Sequence, residues 1–134
     1  MSDTAAVMFA NDAFYAAFAA GDLEAMGRLW ADDHPVTCIH PGWQPLFGYE
    51  AVMESWRGIL SSGETAAIRC QDARVHAAGD LAWVTAFERL PRGVLVATNL
   101  FLRRGAQWRM IHHQAGPCQD PPAEPAPEPG PTLQ

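Results

Sequence analysis

The residues of this chain best suited to holding or moving a proton sit where the surrounding sequence is apolar. His40 ends the run VTCIH, and Pro41, Gly42 and Trp43 follow at once. An imidazole with a pKa of about 6.5 exchanges protons at neutral pH, and a proline-glycine turn would hold it in one place beside an indole. Two roles are open to His40: a general base at a pocket mouth walled by Trp43, or the last residue of a strand bonding a turn carbonyl. By the two-residue period of a strand, Glu88 shares a face with Val84 and Ala86, and Asn99 shares one with Leu95, Ala97 and Phe101. Polar groups on apolar faces need partners. Glu88 is either bridged to Arg109 or another arginine, or is a pocket base whose pKa burial has raised.

Other chemistries find less support. His112 and His113 are adjacent on a predicted strand, so they point to opposite faces and cannot chelate one ion together. No HxxxH spacing accompanies them, and no metal is expected. The chain has no GxSxG, Walker or GxGxxG pattern, and Cys118 has no basic partner nearby in sequence. Covalent catalysis is not indicated, and no cofactor is expected.

The elements that must position these residues follow from hydrophobic period. Thr4 to Ala20 places Val7, Ala10, Phe14, Ala17 and Phe18 at helical spacing, with Asp3 or Thr4 available as N-cap. Gly21 suits a left-handed C-cap, and Asp22 caps a second helix from Leu23 to about Trp30. Val36 to His40 reads as a short strand closed by Pro41-Gly42, and Gly48 to Leu60 returns to helical period. Four β runs then follow, Thr65 to His76, Leu81 to Leu90, Val94 to Arg103 and Gln107 to Ala115, with short glycine-containing separators that imply a meander of hairpins. Leu81, Trp83 and Phe87 fall on one face of the second run and Ala82, Val84 and Ala86 on the other, so the sheet must be covered on both sides. Trp30, Trp56 and Trp83 are expected on core-facing stripes. After Gly116 proline density denies both helix and central strand, and residues 117–134 read as an acidic tail, polyproline-like or disordered, with no means of packing on the domain beyond Leu133.

Composition sets limits. The 134 residues suffice for one domain with a real core. The net charge is -6, and all nine basic residues are arginines scattered along the chain, so nucleic acid and anionic membranes are not expected partners. The three cysteines form no CxxC pair and read as reduced thiols; no apolar run approaches the ~20 residues of a membrane span. A cytoplasmic location is expected.

Four pieces, AAGDLEAMGRLWADD, VTCIHPGW, FGYEAVMESWRGIL and LRRGAQWRMIHHQ, make Phe9 to Gly116 resemble the nuclear-transport-factor-2-like (NTF2-like) superfamily, in particular its SnoaL-like branch. The last piece also resembles the closing hairpin of the association domain of calcium/calmodulin-dependent protein kinase II. The resemblance implies an α+β, cystatin-like cone in the order α-α-β-α-β-β-β-β, with a strongly curved sheet around three helices, a pocket at one end and a homodimer through the outer sheet face. Aligned through the GD corner, His40 takes the place of the general-base aspartate of ketosteroid isomerases. Phe14 stands where that family has a carbonyl-polarising tyrosine, which disfavours steroid isomerisation by that route. Tyr15 points about 100° around the helix, a poor replacement for that donor but a candidate ligand contact. Glu88 and Asn99 match positions where the kinase association domain has arginines, so its anion affinity is not expected here; the same register turns His113 and Arg109 toward the pocket. Two functions are therefore expected. One is binding of a small, mostly apolar organic molecule, with cofactor-free proton transfer by His40 and Glu88 and ligand contacts from Tyr15, Trp43, Asn99, Arg109 and His113. The other is a non-catalytic assembly module.

Overall fold

The computed structural model describes residues 2–126. Helix α1 (Asp3–Ala20) is capped by Ser2, whose hydroxyl accepts from the Ala5 N–H at 3.1 Å, one residue before the expected cap. Gly21 ends it in the left-handed region with φ 66°, and the Asp22 side chain accepts from the Ala25 N–H to start α2 (Leu23–Leu29). Strand β1 (Thr37–Ile39) is shorter than its apolar run, and a two-residue strand β2 (Leu46–Phe47) that carries no periodic signal pairs with it. Helix α3 (Tyr49–Leu60) follows, then β3 (Arg69–Ala78), β4 (Leu81–Leu90), β5 (Gly93–Arg104) and β6 (Gln107–Pro117). The first of the four predicted β runs begins four residues late, because Ala66 and Ala67 form a turn that precedes β3.

The six strands form one sheet in the order β2-β1-β6-β5-β4-β3, antiparallel throughout except where β1 runs parallel to β6. Its inner face is built largely from small residues, Ala82, Val84, Ala86 and Ala97, and this leaves room for α1 to lie against the sheet. Phe14 is fully buried and meets Trp56 of α3 edge-on at 5.6 Å between ring centroids. Burying an aromatic ring of this kind contributes about 2–3 kcal/mol. Trp30 and Trp56 are core residues as expected. Trp83 is not: it lies half-exposed on the outer face, stacked on His76 at 5.3 Å, because the alternating partners Ala82 and Val84 take the inner face.

Two bulges bend the sheet. One extra residue lies in β3 between Gln71 and Arg74, where Asp72 adopts φ 54°, and one lies in β6 at Ile111, opposite the Leu100–Phe101 step of β5. The segment after β6 also departs from expectation. It folds back over the outer face of β3 and β4: the Arg89 guanidinium donates to the Pro122 carbonyl, Gln71 Nε2 donates to the Ala123 carbonyl at 2.9 Å, and Arg69 pairs with Glu124 at 2.6 Å. Carbonyls need no apolar side chain to find a donor, which is why composition alone does not reveal this seat. Leu133 lies outside the described residues. Among the described residues no helix is long and apolar enough to cross a membrane.

The GD corner carries the sharpest backbone demand. A Cβ on Gly21 would lie 3.1 Å from the Leu60 carbonyl oxygen, on top of the left-handed φ. Gly21→Ala is expected to lower stability by about 1–2 kcal/mol, read as a shifted urea midpoint at unchanged slope.

Candidate functional site

A cavity of about 410 Å³ opens at one end of the sheet, walled by Phe18, Trp43 and Leu90 and reaching His40, Glu88 and His113 at its buried end. Its size suits a small organic molecule. His40 reaches it from the end of β1 because the Trp43 N–H donates to the His40 carbonyl at 2.9 Å and closes the turn. The ring, 4% exposed, is packed edge-on by Trp43 and Trp56, each at 4.9 Å, and its Nε2 lies 2.9 Å from Ser55 Oγ of α3. The carbonyl of the turn is therefore bonded by backbone, and the imidazole is free to face inward.

Glu88, 1% exposed, comes from β4 as the two-residue period requires. Its partner is not an arginine: the Tyr15 hydroxyl of α1 donates to Oε2 at 2.7 Å, and His113 Nε2 stands 3.9 Å from the same oxygen. Asn99 of β5 lies behind this pair. Its amide nitrogen donates to Asn11 Oδ1 at 2.9 Å and to the Tyr15 oxygen at 3.2 Å, and its Oδ1 lies 2.6 Å from His113 Nδ1. Asn11, Tyr15, Glu88, Asn99 and His113 thus form one buried network. Tyr15 and Asn99 touch the cavity only through Glu88 and His113. Asn11 escaped the sequence reading, although its position one helical turn before Tyr15 was the available signal.

Burial governs the charges. It pushes the Glu88 carboxyl up to about 7, with the Tyr15 bond pulling back only in part. It lowers His40 to about 4, and His113 to about 3 with help from His40 and His112. Both histidines are neutral at pH 7, while Glu88 titrates there. Burial and the Glu88 charge hold the Tyr15 hydroxyl far above the usual phenol range, and the same two causes push the Cys38 thiol to about 12. His112 faces away from the network and bonds the Thr37 hydroxyl.

Arg109 does not join the site. It pairs with Leu102 while His113 pairs with Asn99, and the extra residue Ile111 between them puts positions four apart on opposite faces. Its guanidinium donates to the Arg28 carbonyl and to Gln107, along a separate open groove of about 970 Å³ beside α2 and α3. That groove is larger, but it is lined by exposed charged groups such as Glu24, Arg28 and Arg57, whereas the buried His40, Glu88 and His113 line the smaller cavity.

Residues 7–118 match the model of the SnoaL-like domain. The chain belongs to this family. A candidate dehydratase of the NTF2-like family from Streptomyces avermitilis is 34% identical, with a TM-score of 0.80 over 88% of this chain and 97% of that one. A candidate calcium/calmodulin-dependent protein kinase type II association domain from Thiobacillus denitrificans is 36% identical, with a TM-score of 0.69 over 82% of this chain and 93% of its own. The F-box protein SKIP8 of Arabidopsis thaliana is 30% identical over 114 residues, and this SnoaL-like chain spans about half of its length, 49%, while 84% of the present chain is matched. The cystatin-like α+β fold expected from the sequence is the fold observed, with β2 as an addition.

Two consequences can be measured. Tyr15→Phe removes the hydroxyl that holds the Glu88 charge, so the Glu88 carboxyl should titrate above its present value near 7 in 13C NMR, and stability should fall by about 1–3 kcal/mol. Acidification should also destabilise the SnoaL-like fold. His40 and His113 titrate near 6.5 when unfolded and near 4 and 3 when folded, so below pH 6.5 the unfolded chain takes up two protons that the fold refuses. Glu88 acts in the opposite sense, binding its proton more tightly in the fold from 4.5 up to 7. The balance is a loss of about 1 kcal/mol per pH unit between about pH 6 and pH 5, and Glu88→Gln should roughly double that slope in urea unfolding.

Proposed function

We propose that this SnoaL-like protein binds a small, mostly apolar organic molecule in the 410 Å³ cavity and moves a proton on it without a cofactor. The observation that carries this reading is the convergence of His40, Glu88 and His113 on one cavity, where burial lowers the proton affinity of both histidines and raises that of the carboxyl to about 7. A base that takes a proton from carbon and an acid that returns one elsewhere suffice for isomerisation; in dehydration the base takes the proton from one carbon, its electron pair forms the double bond, and the acid protonates the hydroxyl that leaves the neighbouring carbon as water. Neither moves electrons between molecules, so neither calls for a redox group. His40 and Glu88 are the acid-base pair, Trp43 is the apolar wall, His113 is a polar contact, and Tyr15 and Asn99 hold Glu88 and His113 in place. The 34% identity to the Streptomyces avermitilis protein supports a lyase-type reaction over others on this scaffold.

A homodimer through the outer sheet face accompanies this function. Val96 is 42% exposed there, beside half-buried Trp83, Phe87 and Leu100, and an apolar strip of this kind on a sheet face calls for a cover. The same strip supports a second reading, an assembly module like the association domain from Thiobacillus denitrificans. Native mass spectrometry separates the two. A dimer that carries an extra small mass, lost in both His40→Ala and Glu88→Gln, is expected; a ring of higher order with no bound mass favours the assembly reading. Val96→Asp should shift the dimer toward monomer in light scattering, and an unchanged mass would move the interface off this face.

A further inference from the structure

The polar side chains His40, Glu88 and His113 meet at the buried end of the cavity, and the direction of the bonds around Glu88 and His113 follows from one group. As a carboxylate, Glu88 can only accept, so the Tyr15 hydroxyl must donate to Oε2. The Tyr15 oxygen then has only lone pairs to offer, so the group 3.2 Å away must be the Asn99 amide nitrogen, and Asn99 Oδ1 must face His113. An acceptor at 2.6 Å requires a proton on His113 Nδ1, and in a neutral ring this leaves Nε2 as a bare lone pair facing Glu88. His40 is fixed in the other sense. Ser55 spends its single hydroxyl proton on the Val52 carbonyl at 2.6 Å, so it must accept from His40 Nε2–H, and Nδ1 carries the lone pair. The one buried donor near the site without a partner, the Trp56 indole N–H, belongs to a ring that does not line the cavity.

We propose that the floor of this cavity, formed by His40, Glu88 and His113, is a surface of hydrogen-bond acceptors, and that the molecule bound there buries a hydroxyl group against it rather than a carboxylate, phosphate or other anion. The inference rests on the cavity being a ligand site. His113 Nε2 and Glu88 Oε2, 3.9 Å apart, can be addressed by one hydroxyl, whereas an anion placed against these two atoms would meet a lone pair and a negative charge, with no donor from either to offset its lost hydration. The cation that lines the cavity, Arg92, sits at the mouth, exposed and paired with Glu64 at 3.2 Å, and does not alter the floor. Ser55 and Asn99 become positioning residues, since each sets which nitrogen of its histidine is bare.

The test uses the intact wild-type protein at about pH 8, where Glu88 is ionised. Long-range 1H–15N NMR is expected to show His40 as the Nε2–H tautomer and His113 as the Nδ1–H tautomer. Titration with 2-naphthol should then shift the bare His113 nitrogen and the Trp43 indole signals, with an affinity at least ~10-fold above that of 2-naphthoate, which has the same rings and an anionic end. The reversed tautomer at either histidine overturns the inference whatever the probes do. Binding of 2-naphthoate as tight as or tighter than 2-naphthol also overturns it, while leaving the cavity as a ligand site. If neither probe moves these signals, the cavity reading falls, and the inference falls with it.

Discussion

A carboxyl group at 1% exposure with no arginine beside it constrains most of this structure. An isolated buried carboxylate is costly unless donors converge on it. The donor here comes from another element, the Tyr15 hydroxyl of α1, braced by Asn99 of β5, which also holds His113 of β6. Satisfying Glu88 therefore pins the first helix to three consecutive strands. A slide of α1 by one residue, or of β5 by one register step, would leave several polar groups buried without partners. The network thus fixes the register of these elements against one another.

The second constraint is spatial. The inner face of β4 and the first half of β5 carries no aromatic side chain, so the rings around Glu88 and His113 come from the helices, through Phe14, Phe18 and Trp56. These rings also set the dielectric surroundings of the histidines. Trp56 packs against both His40 and His113, and its burial around them lowers their proton affinity without any ion pair. Packing and acid-base character are therefore one arrangement, and a change in the aromatic cluster alters both.

The outer face follows different rules. Its residues are larger and half-exposed, with Trp83, Phe87, Val96 and Leu100 standing between the arginines near the chain end and the His76 stack. Residues 122–124 cover the β3 and β4 side through backbone carbonyls held by Arg89 and Gln71. That contact borrows the same logic as the interior: polar backbone finds donors first, and apolar area is covered where it can be.

How much was legible varies with the range of the interaction. The GD corner, the helices, the meander and the inward face of Glu88 and Asn99 depend on neighbours a few residues away, and the period of the sequence determined them. So did the choice of His40 and Glu88 as the groups to watch, because each interrupts an apolar run. Residues far apart in the chain decided the rest. The partner of Glu88 is a tyrosine 73 positions earlier, and the paired residue of Asn99 on α1 lies 88 positions away. Arg109 left the site because a single extra residue at Ile111 reversed the strand's faces, and whether a strand bulges depends on the register of its partner, not on its own alternation. The sequence by itself determined the elements and which side chains share a face along each uninterrupted stretch, as with Glu88 beside Val84 and Ala86. Only the tertiary structure decided which of them meet, and so which nitrogen of each histidine is left bare, because hydrogen-bond direction is a property of a closed network and not of any one residue.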